Sequence, residues 1–323
     1  MASPSEKLAH SLETLKIQQD QGTTAIATND LSRTHRQRLI KNGFLQEVIK
    51  GWYIASNPNA FNGDSTAWYT SFWAFCAAYL DKRFHHEWCL SPEQSLSLHV
   101  GNWTVPKQLL VRAPKGSSKN ITLPYDTALF DMRCAIPAPQ EMTVINNMHV
   151  FALPSALVHC SPKFFTQNPS DTRTALSLIR DASDILALLL TKGHSTIAGR
   201  LAGGFRHIGY DKIADEIIKT MLAAGFDVRE SNPFQAISPV FVSSKERSPY
   251  VKRLQISWQE MRVVVQQLFP KQNNARHTDF ASYLKKNGEN LHHRCLPLAF
   301  YRRLSRKHYA DSTRTRWQLA SRS

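Results

Sequence analysis

The sequence predicts an α+β protein in which an N-terminal winged helix-turn-helix is followed by a mixed α+β domain. Three patterns lead to this prediction. The first 58 residues combine helical spacing with a hairpin pattern, residues 108–153 hold short apolar stretches between turn residues, and helical spacing returns from residue 154. The 323 residues suffice for two domains or one domain with appendages, and a hydrophobic content of 42% excludes a disordered chain.

The first two helices of the predicted winged helix-turn-helix lie within residues 5–30. Leu8, Leu12 and Leu15 recur with the spacing of one helical face between residues 5 and 19. Residues 25–30 follow as a predicted short helix. Its end, Thr28-Asn29-Asp30, offers side chains that can cap the next helix.

A basic helix and a hairpin complete this module, which we place at residues 1–58. The helix spans residues 31–41 and ends at Asn42-Gly43, because both residues tolerate left-handed backbone. Residues 44–54 then form two predicted strands around the tight turn Lys50-Gly51. The residues that the basic helix is expected to bury are Leu31, Leu39 and Ile40.

The basic helix has side chains that can bind DNA. Arginine suits guanine edges and glutamine suits adenine in the major groove, so five residues are predicted to meet bases: Arg33, Thr34, Arg36, Gln37 and Arg38. Lys41 and Lys50 are predicted to lie near phosphates. Two alternatives stay open, because the same residues suit a solvated helix face and because winged helices also dock proteins.

Residues 59–235 are predicted to form the mixed α+β domain. An aromatic stripe from Trp68 to Leu80 predicts a core helix, and Ser91 caps a helix over residues 94–100. The predicted strands span residues 108–112, 121–123, 128–133, 143–145 and 148–153, and the predicted helices that follow span residues 154–159, 171–191 and 213–224. The glycines of residues 199–204 indicate close packing against a helix rather than a dinucleotide loop.

No motif in the chain predicts a catalytic or metal site. Residues 114–119 only partly match a phosphate-binding loop, so a basic surface turn is the better interpretation. The five cysteines include no CxxC pair, which argues against a disulfide framework or a zinc ribbon. His85, His86 and Cys89 have no second pair of ligands in the sequence. We therefore predict no metal ion, no cofactor and no catalytic residue.

The charge of the chain favours an anionic partner. Its formal net charge is +15, from 40 Lys and Arg against 25 Asp and Glu, and residues 287–323 alone hold eight cations and two acids. Such a charge suits nucleic acid or an anionic surface without choosing between them. The longest strongly apolar stretch, residues 185–190, is far below the roughly 20 residues that span a bilayer. With no secretory signal visible, we expect a cytoplasmic protein without a membrane partner.

Several stretches resemble known bacterial families. Asp30-Leu31-Ser32-Arg33, residues 39–45 and Lys50-Gly51-Trp52-Tyr53 resemble the winged helix of AbiEi-type antitoxins. More specifically, residues 1–286 are similar to the N-terminal region of a long bacterial Fic protein (cell filamentation protein), on the evidence of residues 90–99, 194–203 and 248–251. The resemblance implies an antitoxin-like domain up to about residue 235, and residues 236–286 as a linker and lead-in helices to a helical Fic domain.

The Fic family is a family of protein adenylyltransferases, which transfer AMP from ATP to a hydroxyl group of a target protein. The resemblance implies ATP and Mg²⁺ as cofactors of an intact member, with the catalytic motif HPFx(D/E)GNGR. This chain contains no His-Pro dipeptide and no Gly-Asn-Gly. The inhibitory pattern (S/T)xxxE(G/N) is also missing, because Lys285 stands four residues before Glu289. We therefore expect the chain itself not to transfer AMP, since base, phosphate-binding turn and Arg are missing together.

Residues 287–323 are predicted to be out of frame. When the codons permitted for these residues are read one base later, they can spell the expected entry into a Fic domain, including SLSIEG, which fits the inhibitory pattern. Lys285-Lys286-Asn287 also implies an A-rich tract, where one inserted base is a common error. The hypothesis predicts a disordered basic tail after a frameshift near Lys286. The alternative is a genuine basic arm for nucleic acid.

Two functional hypotheses follow from the sequence. In the first, the N-terminal part binds double-stranded DNA as an antitoxin-like autoregulator. In the second, the chain is a protein-interaction module that presents targets to a Fic domain or regulates a toxin-type nucleotidyltransferase. A target protein or a cognate toxin-type protein would then be its partner. A third hypothesis that the sequence leaves open is that the chain is an inactive remnant of a Fic protein.

Overall fold

The computed structural model describes residues 3–61, 63–234, 239–240, 242 and 246–269. The described residues up to 264 belong to one compact unit. The described helices are α1 (Pro4–Asp20), α2 (Arg33–Lys41), α3 (Thr66–Phe84), α4 (Pro92–His99), α5 (Leu153–His159), α6 (Pro162–Gln167), α7 (Pro169–Leu178), α8 (Ser183–Lys192), α9 (Ser195–His207), α10 (Asp211–Ala223) and α11 (Pro249–Leu268).

A short 3-10 helix (Pro139–Glu141) and nine strands complete the regular structure of the described residues, which form the predicted α+β class of fold. The strands are β1 (Ala25–Ala27), β2 (Leu45–Ile49), β3 (Trp52–Ala55), β4 (Cys89–Leu90), β5 (Gln108–Ala113), β6 (Asn120–Thr122), β7 (Ala128–Arg133), β8 (Met142–Ile145) and β9 (Met148–Phe151). They form sheets of order β1-β3-β2, β4-β5-β7-β6 and β8-β9. Strands β5 and β7 run parallel, and the other pairs are antiparallel.

The N-terminal sheet lies between two hydrophobic clusters. One face packs against α1 and α2, where Ile26 and Leu39 are fully buried beside Leu15. The opposite face packs against α3 through Ala25 and Ile54. Successive residues of a strand point to opposite faces of a sheet, so neighbours such as Ala25 and Ile26 enter different clusters. The module is therefore held on both sides.

The predicted short helix at residues 25–30 is wrong. Residues Ala25–Ala27 form β1, which pairs with Trp52–Ile54 of β3, and all three are buried. An isolated helix of six residues closes too few hydrogen bonds to offset its nucleation cost, whereas the edge of β3 offers backbone partners at once. The observed order is thus helix, strand, helix and hairpin. The cap of α2 is Ser32 rather than Thr28-Asn29-Asp30.

Helix α3 is a core helix, as its aromatic stripe predicted. It packs against the four-stranded sheet β4-β5-β7-β6, which we call the central sheet. Trp68, Phe72, Phe75 and Leu80 are fully buried in one cluster with residues of β5 and β7. The indole N–H of Trp68 donates to the Thr127 hydroxyl at 3.1 Å, which satisfies its buried polar atom. This helix therefore joins the N-terminal sheet to the central one.

The helical half of the compact unit also differs from the sequence prediction, which contains neither α6 nor α9 and joins two other helices into one. The helix predicted over residues 171–191 is two helices, α7 and α8, because the Asp181 carboxylate accepts the Ser183 backbone N–H at 2.8 Å and starts α8 anew. In α9, glycine packing is confirmed, but its partner is the segment 229–232. A Cβ added to Gly199 would lie 2.0 Å from the Arg229 carbonyl oxygen, and one at Gly203 would lie 2.3 Å from that of Ser231.

Candidate nucleic-acid interface

Helix α2 has a well-defined beginning and end. The Ser32 hydroxyl accepts the His35 backbone N–H at 3.3 Å, and Gly43 follows the C-cap Asn42 with a φ of 76°. Leu39 anchors the inner face in the N-terminal cluster. Ile40, predicted to be buried, is 39% exposed, because Leu39 already occupies the inward position of the last turn. The outer face of the helix is therefore fixed in direction.

Four of the predicted DNA-binding residues form one exposed surface, which we call the α2 face: Arg33, Thr34, Gln37 and Lys41. Three of them follow a spacing of four residues, which places their side chains in a row along a helix. Helix α2 contains no acidic residue. An exposed helix with two cations, an amide and a hydroxyl can donate hydrogen bonds to base edges and to phosphates.

Arg36 and Arg38 flank the α2 face and are engaged inside the module. The Arg36 guanidinium donates to the Thr28 carbonyl oxygen at 2.5 Å and lies 5.8 Å from the Tyr53 ring centroid. The Arg38 guanidinium donates to the Lys7 carbonyl oxygen at 2.8 Å and to the Ser11 hydroxyl at 2.7 Å. Both side chains are partly exposed, and both tie α2 to neighbouring elements.

Lys50 lies exposed in the two-residue turn between β2 and β3. This turn is fastened to the end of β1, because the backbone N–H and the hydroxyl of Thr28 both donate to the Gly51 carbonyl oxygen at 2.9 Å. Gly51 has a φ of +85°, and a Cβ there would lie 3.0 Å from the Thr28 hydroxyl oxygen. Since Arg36 also bonds to Thr28, one residue links α2 to the turn that carries Lys50.

Lys82 is a cation near this turn that the sequence reasoning missed. Its ammonium group lies 5.3 Å from the centroid of the Trp52 ring, at the start of β3. The same ring packs edge-on against Phe75 and Tyr79 of α3. Lys82 sits near the end of a helix that the sequence marks as core, so only the pairing of β3 with α3 could have revealed it. The contact adds positive charge beside the hairpin.

The turn at residues 114–119 is held by acidic side chains. Lys115 pairs with Glu87 at 2.9 Å, and the Ser117 hydroxyl donates to the Asp131 carboxylate at 2.7 Å. Arg83 also pairs with the buried Asp131 at 2.6 Å. A carboxylate at the centre of these cations disfavours a phosphate there, because like charges repel. This geometry agrees with the interpretation as a basic surface turn.

A cavity of about 650 Å³ lies between the helices at residues 177–180, 209–213 and 252. Lys252 is almost fully buried there, and its ammonium group donates to the Ser177 carbonyl oxygen. Burial lowers the pKa of Lys252, and the neighbouring Arg180 lowers it further. The ammonium of Lys252 thus helps to hold α11 against the end of α7.

His86 and Cys89, considered together in the sequence, are in different environments. Cys89 is buried in β4, and burial raises the pKa of its thiol to about 12. A protonated thiol is a poor metal ligand. His86 is exposed and lies beside Asp81 and His149 instead. Sequence reasoning missed both partners, because His149 comes 63 positions later in the chain.

Comparisons with protein-family models and with curated proteins give no match for this chain. Among the helices in the part of the chain that the structure describes, none has the length and apolar character needed to cross a membrane.

Proposed function

We propose that the chain binds double-stranded DNA through the α2 face, with α2 in the major groove and the β2–β3 turn against the backbone. The observation that carries this proposal is the α2 face itself: four polar side chains in one exposed surface of a helix that contains no acid. Helices of this kind read base edges in helix-turn-helix proteins, and an adjoining hairpin can contact phosphates.

Each residue of the interface has a defined part in this proposal. Arg33 and Gln37 contact base edges, since their planar donor groups match guanine and adenine, and Thr34 contributes a hydroxyl. Lys41 and Lys50 neutralise phosphates, which fixes the register of the protein on the duplex. Arg36 and Arg38 keep α2 in place through their bonds to Thr28 and Lys7, so we assign them positioning roles rather than base contacts.

We further propose that the chain corresponds to the N-terminal region of a Fic-type protein adenylyltransferase and does not itself transfer AMP. The support is the set of stretches that resemble the family, together with a sequence that lacks the catalytic motif. On this reading the protein is a cytoplasmic DNA-binding autoregulator. The hypothesis of a frameshift concerns residues 287–323, which lie outside the described residues. Deep sequencing of the codons for residues 283–290 tests this hypothesis. One extra base in the A-rich tract supports the frameshift. A tract without an extra base contradicts it.

Salt dependence of DNA binding tests the proposed interface. Loss of one phosphate contact lowers the slope of log K against log salt by about 0.9 for duplex DNA. We expect Lys41→Ala to weaken binding evenly across sequences and to flatten the slope by about that amount. Lys16→Ala is the matched control, because Lys16 is exposed on α1 in the same module. Equal slopes for the native protein and Lys41→Ala would contradict the phosphate contact.

A protein-interaction function is the second candidate, and one observation favours it. Helix α11 leaves many large apolar side chains exposed, and four of them follow one line along the helix: Tyr250, Leu254, Trp258 and Met261. Their spacing of four, four and three residues forms a seam that suits a second helix. If a second copy of the chain is the partner, sedimentation shows a dimer for the native chain and a monomer for Leu254→Ser. DNA binding that survives this substitution then separates the two functions.

A further inference from the structure

Three potential metal ligands converge from separate elements of the fold. Asp81 lies in the last turns of α3, His86 in the turn that follows it, and His149 in β9. One ligand atom from each residue lies within 4.8 Å of the other two, and the Asp81 Oδ1 to His149 Nε2 distance is 3.8 Å. The ligand atoms of a tetrahedral zinc site are about 3.4 Å apart, given bonds of about 2.1 Å. Small rotations of these side chains therefore suffice.

Trp88 holds the carboxylate in place. Its indole N–H donates to Asp81 Oδ1 at 2.8 Å, and its ring is fully buried. The same ring lies 4.8 Å from the ring of His149, centroid to centroid. Metal ligands are commonly oriented by such outer hydrogen bonds. Trp88 thus supplies an ordered support for two of the three ligands.

The two histidines are in different states of exposure. His149 is 15% exposed and Asp81 is 39% exposed, while His86 is open to solvent. Their rings are near parallel, with centroids 5.6 Å apart and an interplanar angle of 19°.

We propose that Asp81, His86 and His149 bind one divalent transition-metal ion, of which Zn²⁺ is the representative. Two imidazole nitrogens and one carboxylate oxygen form a donor set that Zn²⁺, Co²⁺ and Ni²⁺ accept. The exposed side of the cluster, where His86 lies, leaves a coordination position for water. This site is separate from the α2 face, and its test does not depend on DNA binding.

Calorimetric titration of Zn²⁺ into the metal-stripped, untagged full chain tests the proposal. The chain has 13 histidines, so the informative quantity is the difference between variants. We expect His86→Gln and Asp81→Asn each to lose one binding event, or at least tenfold in its affinity. His85→Asn is the matched control, because His85 is exposed and directly precedes His86 in the chain. It should bind as the native chain does.

A second measurement reports from the site itself. Co²⁺ or Cu²⁺ bound here should quench the fluorescence of Trp88, so the quenching should be lost in His86→Gln and reduced in Trp88→Phe. Circular dichroism confirms that each variant is folded. His86 is exposed, so its replacement leaves the core intact. No Zn²⁺ binding by the native chain, or identical isotherms for native, His86→Gln and Asp81→Asn, would overturn the proposal.

Discussion

Helix α2 and the α7–α9 region both carry arginines, and the two regions use them in opposite ways. On α2, Arg33 is exposed and makes no part of the core. In α7, Arg173 has no exposed surface, pairs with Glu260 at 2.6 Å and lies 5.5 Å from the Phe234 ring centroid. In α9, Arg200 donates to the Cys160 carbonyl oxygen at 3.2 Å over the Phe165 ring. A cation in this sequence therefore indicates a ligand site only where the fold leaves it uncovered.

Truncation of Arg173 should produce the largest loss of stability. Arg173→Ala removes a fully buried cation and leaves the Glu260 carboxylate with the Ser170 hydroxyl but no cation, and breaking a buried ion pair costs about 3–5 kcal/mol of unfolding free energy. Urea unfolding followed by fluorescence measures it. Arg33→Ala on the α2 face is the control, and we expect a change below about 0.5 kcal/mol there. Similar losses at both positions would mean that the contrast between the regions is wrong.

The close approach of α9 to residues 229–232 predicts the next largest effect. In Gly199→Ala, the new Cβ would overlap the Arg229 carbonyl oxygen, and overpacking costs about 1–3 kcal/mol. Helix propensity alone would favour alanine by about 1 kcal/mol. Gly204→Ala is the control on the same helix, because its Cβ meets the end of the Leu176 side chain, which can move. Thermal unfolding of both should show Gly199→Ala below the native protein and Gly204→Ala at or above it.

Arg36 is partly exposed and also bonded within the fold, so its truncation should have an effect between those at Arg173 and Arg33. Arg36→Ala removes the hydrogen bond to the Thr28 carbonyl oxygen and the contact with Tyr53, so we expect a loss of about 1 kcal/mol. Lys41→Ala makes no such contact in the described residues and should leave stability unchanged. Chemical denaturation measures the unfolding free energies of the two variants. A fully stable Arg36→Ala protein would argue against a positioning role for Arg36.

The smallest expected effect concerns pH. Burial lowers the pKa of His99, although its bond to the Phe151 carbonyl oxygen opposes the shift, so the unfolded chain binds the proton more readily. Stability should therefore be full above the ordinary histidine pKa of about 6.5 and should fall as the pH drops below it. Unfolding free energies measured between pH 8 and pH 5 test this sign. His99→Gln should show a shallower decline, and a steeper one would contradict the burial argument.

The sequence predicted most elements because their patterns are local. The stripe of Trp68 and Phe72, the cap at Ser91 and the turn Lys50-Gly51 need no distant partner, and the structure contains each of them. The prediction failed at Ala25–Ala27, because their strand exists only through pairing with β3. At the basic helix, spacing identified the α2 face, but the bonds that engage Arg36 and Arg38 come from residues 8 and 31 positions away.

Site-specific photo-crosslinking tests whether the α2 face contacts duplex DNA. A photoreactive residue is placed at position 37, in the middle of the α2 face, or at position 16 on exposed α1 as the control, and the full chain is irradiated with duplex DNA. We expect covalent protein–DNA product from position 37 that competitor duplex removes, and little product from position 16. Equal products from the two positions, or none from position 37 while the chain binds DNA, would contradict it.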